Sequence, residues 1–418
     1  MPPPSSATNE TPRTAETLET LETLETVQRW RRDTPGAASR VHLNNAGASL
    51  PPQQVLETVL AHLQREAEIG GYEAADEAAD RIGAVYADAA RLLGARPGEI
   101  ALVENATVGF SQALASLDFR PGDVIVTSHS DYTSNQIMYL ALGKRLGVEV
   151  LYAAERPAGG VDPDSLAELA AHPRCRLVAL SWVPTNSGLV QDVEEVGEIC
   201  ARRGVPYLVD ACQALGQIPI DVSRVRCDFL SATARKFLRG PRGIGLLYVS
   251  ERVLARGAYP LNVDMRGARL LGPGHFELAA TARRFENWEF SYALVLGLGE
   301  AVRYALEVGV GVGGKRAFDL AARARGKIGQ VPGLRVADRG GRLAAIVTVE
   351  VAGRPAGDVV TRLRQAGINT SSALAGFGPP DVAAAGVPTL VRLSPHYYNT
   401  LAEVDLAVAA LAEIAAGR

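Results

Sequence analysis

Cysteine is scarce in this chain: four in 418 residues, Cys175, Cys200, Cys212 and Cys227. None stands in a C-x-x-C pair, which removes the support for a zinc knuckle or a thioredoxin-type motif. Four thiols in a chain of this length point to a reducing compartment rather than a disulfide scaffold. Histidine is also sparse, with six scattered residues and no H-E-x-x-H, so no metal centre is expected. There is no excess of positive charge. Lys and Arg number 43 against 46 Asp and Glu, a net charge of −3, which argues against an electrostatic nucleic-acid binder. No apolar run reaches the roughly 18 residues of a membrane span. The first ten residues lack the basic and apolar regions of a secretory signal, so a cytoplasmic location is the expectation.

What is present is ordinary globular usage, 47% hydrophobic and 21% charged. Residues 1–16 are rich in Pro, Ser and Thr. Thr-Leu-Glu then repeats three times over 17–25. A period of three drifts around a 3.6-residue helix, so residues 1–40 read as a tail, partly disordered, with a frayed helix at most. Helical patterns follow at Pro52–Glu68 and Glu73–Leu93. Six apolar runs then alternate with helical stretches: Val124–Thr127, Val148–Leu151, Leu177–Leu180, Tyr207–Val209, Phe229–Leu230 and Gly245–Val249. That alternation predicts an α/β domain with a mostly parallel sheet, which binds ligands at the carboxyl ends of its strands. After Gly297 the pattern changes to a smaller α+β arrangement. The expected division is a large domain over 41–297 and a small one over 298–418. One stretch shortly after that boundary, Gly309-Val310-Gly311-Val312-Gly313-Gly314-Lys315, has the spacing of a phosphate-binding loop. Arg316 stands where a hydroxyl should ligate magnesium, and the stretch follows a helix rather than a strand, so it reads as an inter-domain bend.

The chemistry concentrates in Ser231-Ala232-Thr233-Ala234-Arg235-Lys236-Phe237-Leu238-Arg239-Gly240-Pro241-Arg242-Gly243. Here a lysine follows a short apolar strand and precedes a Gly/Pro turn. A lysine at a strand's carboxyl end can form a Schiff base with an aldehyde; alone, it is as well read as a surface lysine. Asp210 ends another apolar strand about one βα unit upstream. It suits either a helix N-cap or a partner for a protonated pyridine nitrogen. Pyridoxal phosphate needs that pair, a lysine on its aldehyde and an acid on its ring nitrogen.

With those segments in place the chain resembles the class V aminotransferase branch of the fold-type I pyridoxal-phosphate enzymes, over roughly residues 41–410. Within the branch it is most similar to ergothioneine-pathway C–S lyases and related antibiotic-pathway enzymes acting on cysteine S-conjugates. That similarity rests on Arg65-Glu66-Ala67-Glu68-Ile69-Gly70-Gly71-Tyr72, on the Arg235-Lys236 form of the lysine motif, and on Arg392-Leu393-Ser394-Pro395-His396. The resemblance implies a mixed, mostly parallel sheet in the large domain, a homodimer with shared active sites, and an amino-acid substrate. It makes Lys236 the Schiff-base lysine and proton carrier, Asp210 the acid on the ring nitrogen, and Gln213 and Asn186 neighbours of the ring hydroxyl. Tyr132 falls where relatives carry a stacking histidine. Ala106 and Thr107 open a helix where the phosphate would sit, with Thr233 and Arg235 beside it; a cap is the plain alternative for Thr107. Arg392 would grip the substrate carboxylate, with Asn45 as a second substrate-binding residue. Glu289 occupies a position where relatives often have Thr near the partner's phosphate, and a pairing with Arg235 or Arg242 is one option for it. The implied reaction is β-elimination at a C–S bond. Decarboxylation coupled to oxidative deamination, transamination or epimerisation are the alternatives. Cysteine desulfurases carry a nucleophilic cysteine on the loop before the arginine. Ser371–Pro388 has none, which counts against that activity, and Cys212 reads as a packed residue.

Overall fold

The apolar runs become strands of one seven-stranded sheet in a computed structural model of the chain, which describes residues 21–374 and 389–417. The strands are β1 (Ile100–Val103), β2 (Val124–Ser128), β3 (Glu149–Ala153), β4 (Cys175–Ser181), β5 (Tyr207–Asp210), β6 (Phe229–Thr233) and β7 (Gly245–Val249). Their order is β1-β7-β6-β5-β4-β2-β3. Neighbours from β6 through to β3 are parallel, while β7 runs antiparallel to both of its neighbours. Every residue of β2, β5, β6 and β7 is buried, as expected when helices cover both faces of a sheet. That double burial is why these runs are continuously apolar. The strand the sequence reading lacked is β1, four residues long and placed at the sheet edge by antiparallel pairing alone.

The register fixes where chemistry can occur. Asp210 lies opposite Ser181 of β4 and Ser231 of β6, so the carboxyl ends of the three central strands form one shelf. The helix Tyr292–Val308 packs against both Gln53–Ile69 and Ala79–Leu93. Close approach there depends on glycine: a Cβ at Gly297 would stand 2.5 Å from Cγ2 of Val59.

A second, antiparallel sheet follows: β8 (Leu334–Val336), β9 (Val347–Val351), β10 (Ser371–Leu374) and β11 (Thr389–Leu393), in the order β8-β9-β11-β10. The expected division of the chain shifts in two respects. The helix Tyr292–Val308 runs unbroken through 297–298 and packs on helices of the large domain. Meanwhile the short strand Val41–His42 pairs in parallel with Ile368–Asn369, and Asn44 bridges to Ser394. The beginning of the folded chain therefore joins the small domain before the large one is built.

Two further expectations are corrected. Residues 21–40 are not a loose tail. The helix Leu21–Arg32 is anchored by Arg31, which donates to the Tyr398 carbonyl at 3.1 Å, to Glu403 at 2.8 Å and to the Ala37 carbonyl at 2.8 Å. Trp30 sits edge-on to Tyr397, with ring centroids 4.9 Å apart. The amphipathic signal that orders this helix comes from Val27 and Trp30, both buried, and lies beyond the Thr-Leu-Glu repeat. The glycine-rich stretch is not a flexible bend either. Only Gly309 turns the chain, at φ +78°, and Val310–Ile328 is a 19-residue helix. Its glycines permit contact, since a Cβ at Gly314 would lie 2.0 Å from the Gln217 carbonyl oxygen. Among the described residues no helix is long and apolar enough to cross a membrane.

Candidate active site

Lys236 follows β6 in a tight turn in which Arg239 N–H donates to the Lys236 carbonyl (2.9 Å) and Gly240 N–H to that of Ala234 (2.9 Å). The turn carries the lysine inward, so it is not the surface residue its sequence context alone allowed: it is only 7% exposed. Burial pulls its ammonium below the ordinary lysine value. The Cys212 and Asp210 charges oppose that shift, and Arg235 and Arg392 add to it. Its Nζ lies 5.8 Å from the centre of the Tyr132 ring.

Asp210 is buried at the end of β5, and no helix begins there for it to cap. One carboxylate oxygen accepts from Cys212 N–H at 2.9 Å; the other accepts from Asn135 Nδ2 at 3.0 Å. Lys236, Asp210, Tyr132 and Thr233 line one cavity of about 460 Å³, together with Ala106, Thr107 and Arg235. Asn135, Cys212 and Arg242 also line it and were not anticipated there. Cys212 is buried, and burial pushes its thiol up to about 12.

One end of the cavity is built for an anion. The helix Ala106–Ala115 begins there, and its first N–H groups and dipole favour negative charge. Asn105 is the cap, accepting from Val108 N–H at 3.1 Å, so the cap role considered for Thr107 falls to its neighbour. Arg235 donates to the Gly47 carbonyl, and burial together with the Arg242 charge pulls its guanidinium down. Among the described residues no carboxylate pairs with Arg235 or Arg242. Two cations facing each other without a counter-anion define a site for one.

Arg392, from β11, stands outside the lining of that cavity but within electrostatic reach of Lys236 and Arg235. Its terminal nitrogens donate to the Thr185 carbonyl (3.0 Å) and hydroxyl (2.9 Å) and to Asn44 Oδ1 (3.3 Å), while Nε is buried without a partner. Burial, and then the Arg235 charge, push it down to about 10. A buried arginine with neutral partners and an orphaned N–H is short of a carboxylate. Gln213 reaches the Ala46 carbonyl and Thr185 hydroxyl through Nε2, both at 3.0 Å, and leaves Oε1 buried and unpartnered.

Two expected residues stand elsewhere. Asn45 is fully buried and its amide is spent on structure: Nδ2 donates to the His42 carbonyl (3.2 Å) and the Ser394 carbonyl (2.7 Å), and Oδ1 accepts from Tyr398 OH at 2.7 Å. Its amide is turned into the protein interior, and Asn44 meets Arg392 instead. Asn186 lines a separate cavity of about 330 Å³ with Ser130 and Pro184, while Thr185 links Gln213 to Arg392. Both displacements are of one residue, in loops where no period tells inward from outward. Glu289 is exposed, and among the described residues neither Arg235 nor Arg242 pairs with it. The segment Ser371–Pro388, singled out for lacking cysteine, falls outside the described residues from 375 to 388.

The residues present fit pyridoxal phosphate. The anion end suits a phosphate, Asp210 a protonated ring nitrogen, the orphaned Gln213 oxygen a ring hydroxyl, and Lys236 an aldehyde. Fold and site together define a fold-type I pyridoxal-phosphate enzyme. The chain belongs to the aminotransferase class-V family, whose model matches residues 41–407. A probable cysteine desulfurase of Synechocystis is 28% identical over 88% of this chain and 89% of its own length. Another, from Methanothermobacter thermautotrophicus, is 27% identical over 92% of this chain and 97% of its own. Among solved structures, a cysteine desulfurase from Thermococcus onnurineus superposes with a TM-score of 0.84 at 24% identity, covering 94% of this chain and 98% of that one. A cystine C–S lyase, C-DES, in complex with its product cysteine persulfide, superposes with a TM-score of 0.81 at 24% identity, covering 91% and 99%. At that identity the two structures speak for the fold. None of these relatives is named for an ergothioneine-pathway lyase, so the kinship stands at the level of the family.

Proposed function

We propose that this enzyme cleaves the C–S bond of a cysteine S-conjugate by β-elimination, releasing a thiol or sulfenate together with pyruvate and ammonia. The observation that carries the reading concerns thiols. A desulfurase needs a nucleophilic cysteine to take up sulfur, and the reactive form is the thiolate. The one cysteine lining the cavity, Cys212, is buried and pushed up to about 12, so it is a thiol at neutral pH. The sequence between Ser371 and Pro388 contains no cysteine. The lack of a thiolate at the cavity favours elimination over desulfuration.

Bound pyridoxal phosphate supplies an electron sink for the bonds at the substrate's α-carbon. Arg392 binds and orients the substrate carboxylate through its guanidinium fork. Asp210 holds a proton at the ring nitrogen. Lys236, held toward its neutral form by burial, is suited to take the α-proton at Nζ and to return a proton as the sulfur departs. Tyr132, 5.8 Å from that nitrogen, covers one side of the cavity. Arg235, Thr233 and the helix start at Ala106 and Thr107, which line the cavity, would hold the phosphate. The working unit of this reading is a homodimer.

The names of the relatives favour a second reading, desulfuration of free cysteine. Mass-spectrometric product analysis separates the two. A bulky S-substituted cysteine, incubated with enzyme and added pyridoxal phosphate, is expected to give pyruvate and the free thiol or sulfenate. Alanine and sulfane sulfur from free cysteine would establish desulfuration instead. An S-substituted acetaldehyde without pyruvate would overturn elimination and identify the Cα–carboxylate bond as the one broken.

A further inference from the structure

Beneath the cofactor cavity lies a second carboxylate that none of the roles above uses. Asp131 sits between β2 and the helix Thr133–Leu146 and is fully buried. Five groups donate to it: Ser181 OH (2.6 Å), Tyr139 OH (2.7 Å), Tyr132 N–H (2.7 Å), Thr127 OH (3.0 Å) and Asn135 Nδ2 (3.1 Å). All are neutral. A carboxylate buried without a cation carries a desolvation penalty that hydrogen bonds only partly offset, and burial pushes the Asp131 carboxyl up against those donors. The structure nonetheless surrounds it completely.

The connection to the site is Asn135. The same Nδ2 that reaches Asp131 Oδ1 also donates to Asp210 Oδ2, at 3.0 Å. An amide nitrogen has two hydrogens, and here each goes to a different aspartate. Turning the amide over would face its oxygen to two acceptors, so Asp131 locks the nitrogen toward Asp210. Asp210's other oxygen is held by Cys212 N–H. Both edges of the acid that meets the ring nitrogen are therefore set, one by backbone and one by a side chain that Asp131 orients.

We propose that Asp131 is a positioning residue for the cofactor ring: acting through Asn135, it fixes the orientation of Asp210 toward the ring nitrogen. This rests on the cofactor and not on the choice of substrate. The charged or titratable neighbours of the network include Asp210, Lys236, Cys212, Tyr132, Tyr139 and Tyr152.

The test compares binding of pyridoxal phosphate with binding of its 1-deaza analogue, in which a C–H replaces the ring nitrogen. Each is titrated into the full-chain apoprotein and followed by absorbance. Asp131→Ala is expected to weaken pyridoxal phosphate by about tenfold to a hundredfold, the range of one hydrogen bond to a charged group, and to leave the analogue nearly unchanged. Asp131→Asn is expected to restore most of the loss. Its oxygen can still face Asn135 while its NH2 turns to the Thr127 and Tyr139 hydroxyls, which accept as well as donate. If Asp131 acts through Asn135, the double variant Asp131→Ala/Asn135→Ala is no worse than Asn135→Ala alone. Equal losses for both ligands, no loss for either, or additive losses in the double variant would overturn the proposal. Should Asp131→Ala fail to fold, Asn135→Ala decides it by the same comparison of the two ligands.

Discussion

A lysine buried beside two arginines destabilises the protein that holds it until something neutralises the cluster. Burial draws the Lys236 ammonium down, whereas in the unfolded chain the same group stays charged up to about pH 10.4. Between the lowered folded value and the unfolded one, the unfolded chain binds the extra proton. The lysine's contribution to stability therefore improves as pH rises through that window. Below the window both states are protonated, and the folded apoprotein bears the full cost of the buried charge. Lys236→Met keeps the length and removes the charge. The variant apoprotein is expected to melt about 2 °C or more above the wild-type apoprotein at neutral pH, with the gap closing toward pH 10. Thermal melts of the two apoproteins across that range check it. A variant that melts lower at every pH would mean that Asp210 stabilises the ammonium by more than burial costs it. At this scale the sequence was informative wherever a residue ends a strand. Asp210 was legible because it ends an apolar run, Lys236 because it follows one just before a Gly/Pro turn, and Arg392 only through the family resemblance. Asn44 and Thr185 were not, because each lies one residue from the position chosen, in loops where alternation gives no guidance. Asp131 and Asn135 escaped for a different reason. Their spacing of four residues was visible, but its meaning depends on Asp210, 75 residues beyond Asn135, and that contact exists only once β2, β4 and β5 are paired.

At the scale of elements, β2, β5, β6 and β7 were legible because full burial on both faces makes them continuous apolar runs. Their ends moved outward in the structure, as Val124–Thr127 extended to Ser128 and Phe229–Leu230 to Thr233, since small hydroxyl residues pair at the carboxyl shelf without adding hydrophobicity. The glycine-rich stretch was misread because glycine disfavours helix in isolation by about 1 kcal/mol per residue. Tertiary contact overrides that preference here: Gly313 faces Tyr397 and Gly314 the backbone at Gln217. Gln217 in turn accepts from Ala345 N–H at 3.1 Å, tying this helix, the loop after β5 and the small sheet together. Gly314→Ala gains helix propensity yet places a methyl 2.0 Å from a backbone oxygen. The expected result is a net loss of stability on the order of 3 kcal/mol, read from the midpoint of denaturant unfolding of the holoenzyme. A neutral or stabilising outcome would show that the helix slides freely over Gln217, restoring the reading as a flexible joint.

At the scale of the whole molecule, one element is not explained by a single chain. Ala268–Gly272 and His275–Leu278 form a two-stranded ribbon that joins neither sheet. Such a ribbon is marginal in water without something to pack against. Leu270 is 79% exposed and Phe276 52%, and Leu261, Met265 and Leu271 are exposed in the same stretch of sequence. Tyr259 and Phe276 rings meet at 6.3 Å, so some of this apolar surface is continuous. Exposed apolar surface of this kind marks an interface, and a second copy is the partner the dimer reading supplies. If that dimer shares its active sites, as proposed, the partner has a further role near Glu289, which lines a cavity with Trp288 and Tyr72 and has no ion-pair partner among the described residues. Leu270→Lys/Phe276→Lys, which lies far in sequence from Lys236 and Arg392, is therefore expected to halve the mass seen by light scattering at micromolar concentration. Turnover is expected to fall at least tenfold, and to recover partly as protein concentration rises. A full-size dimer with unchanged turnover would place the interface elsewhere. A monomer of undiminished turnover would mean that each chain completes its own site, and that Arg235, Arg242 and the helix at Ala106 hold the phosphate without help from a neighbour.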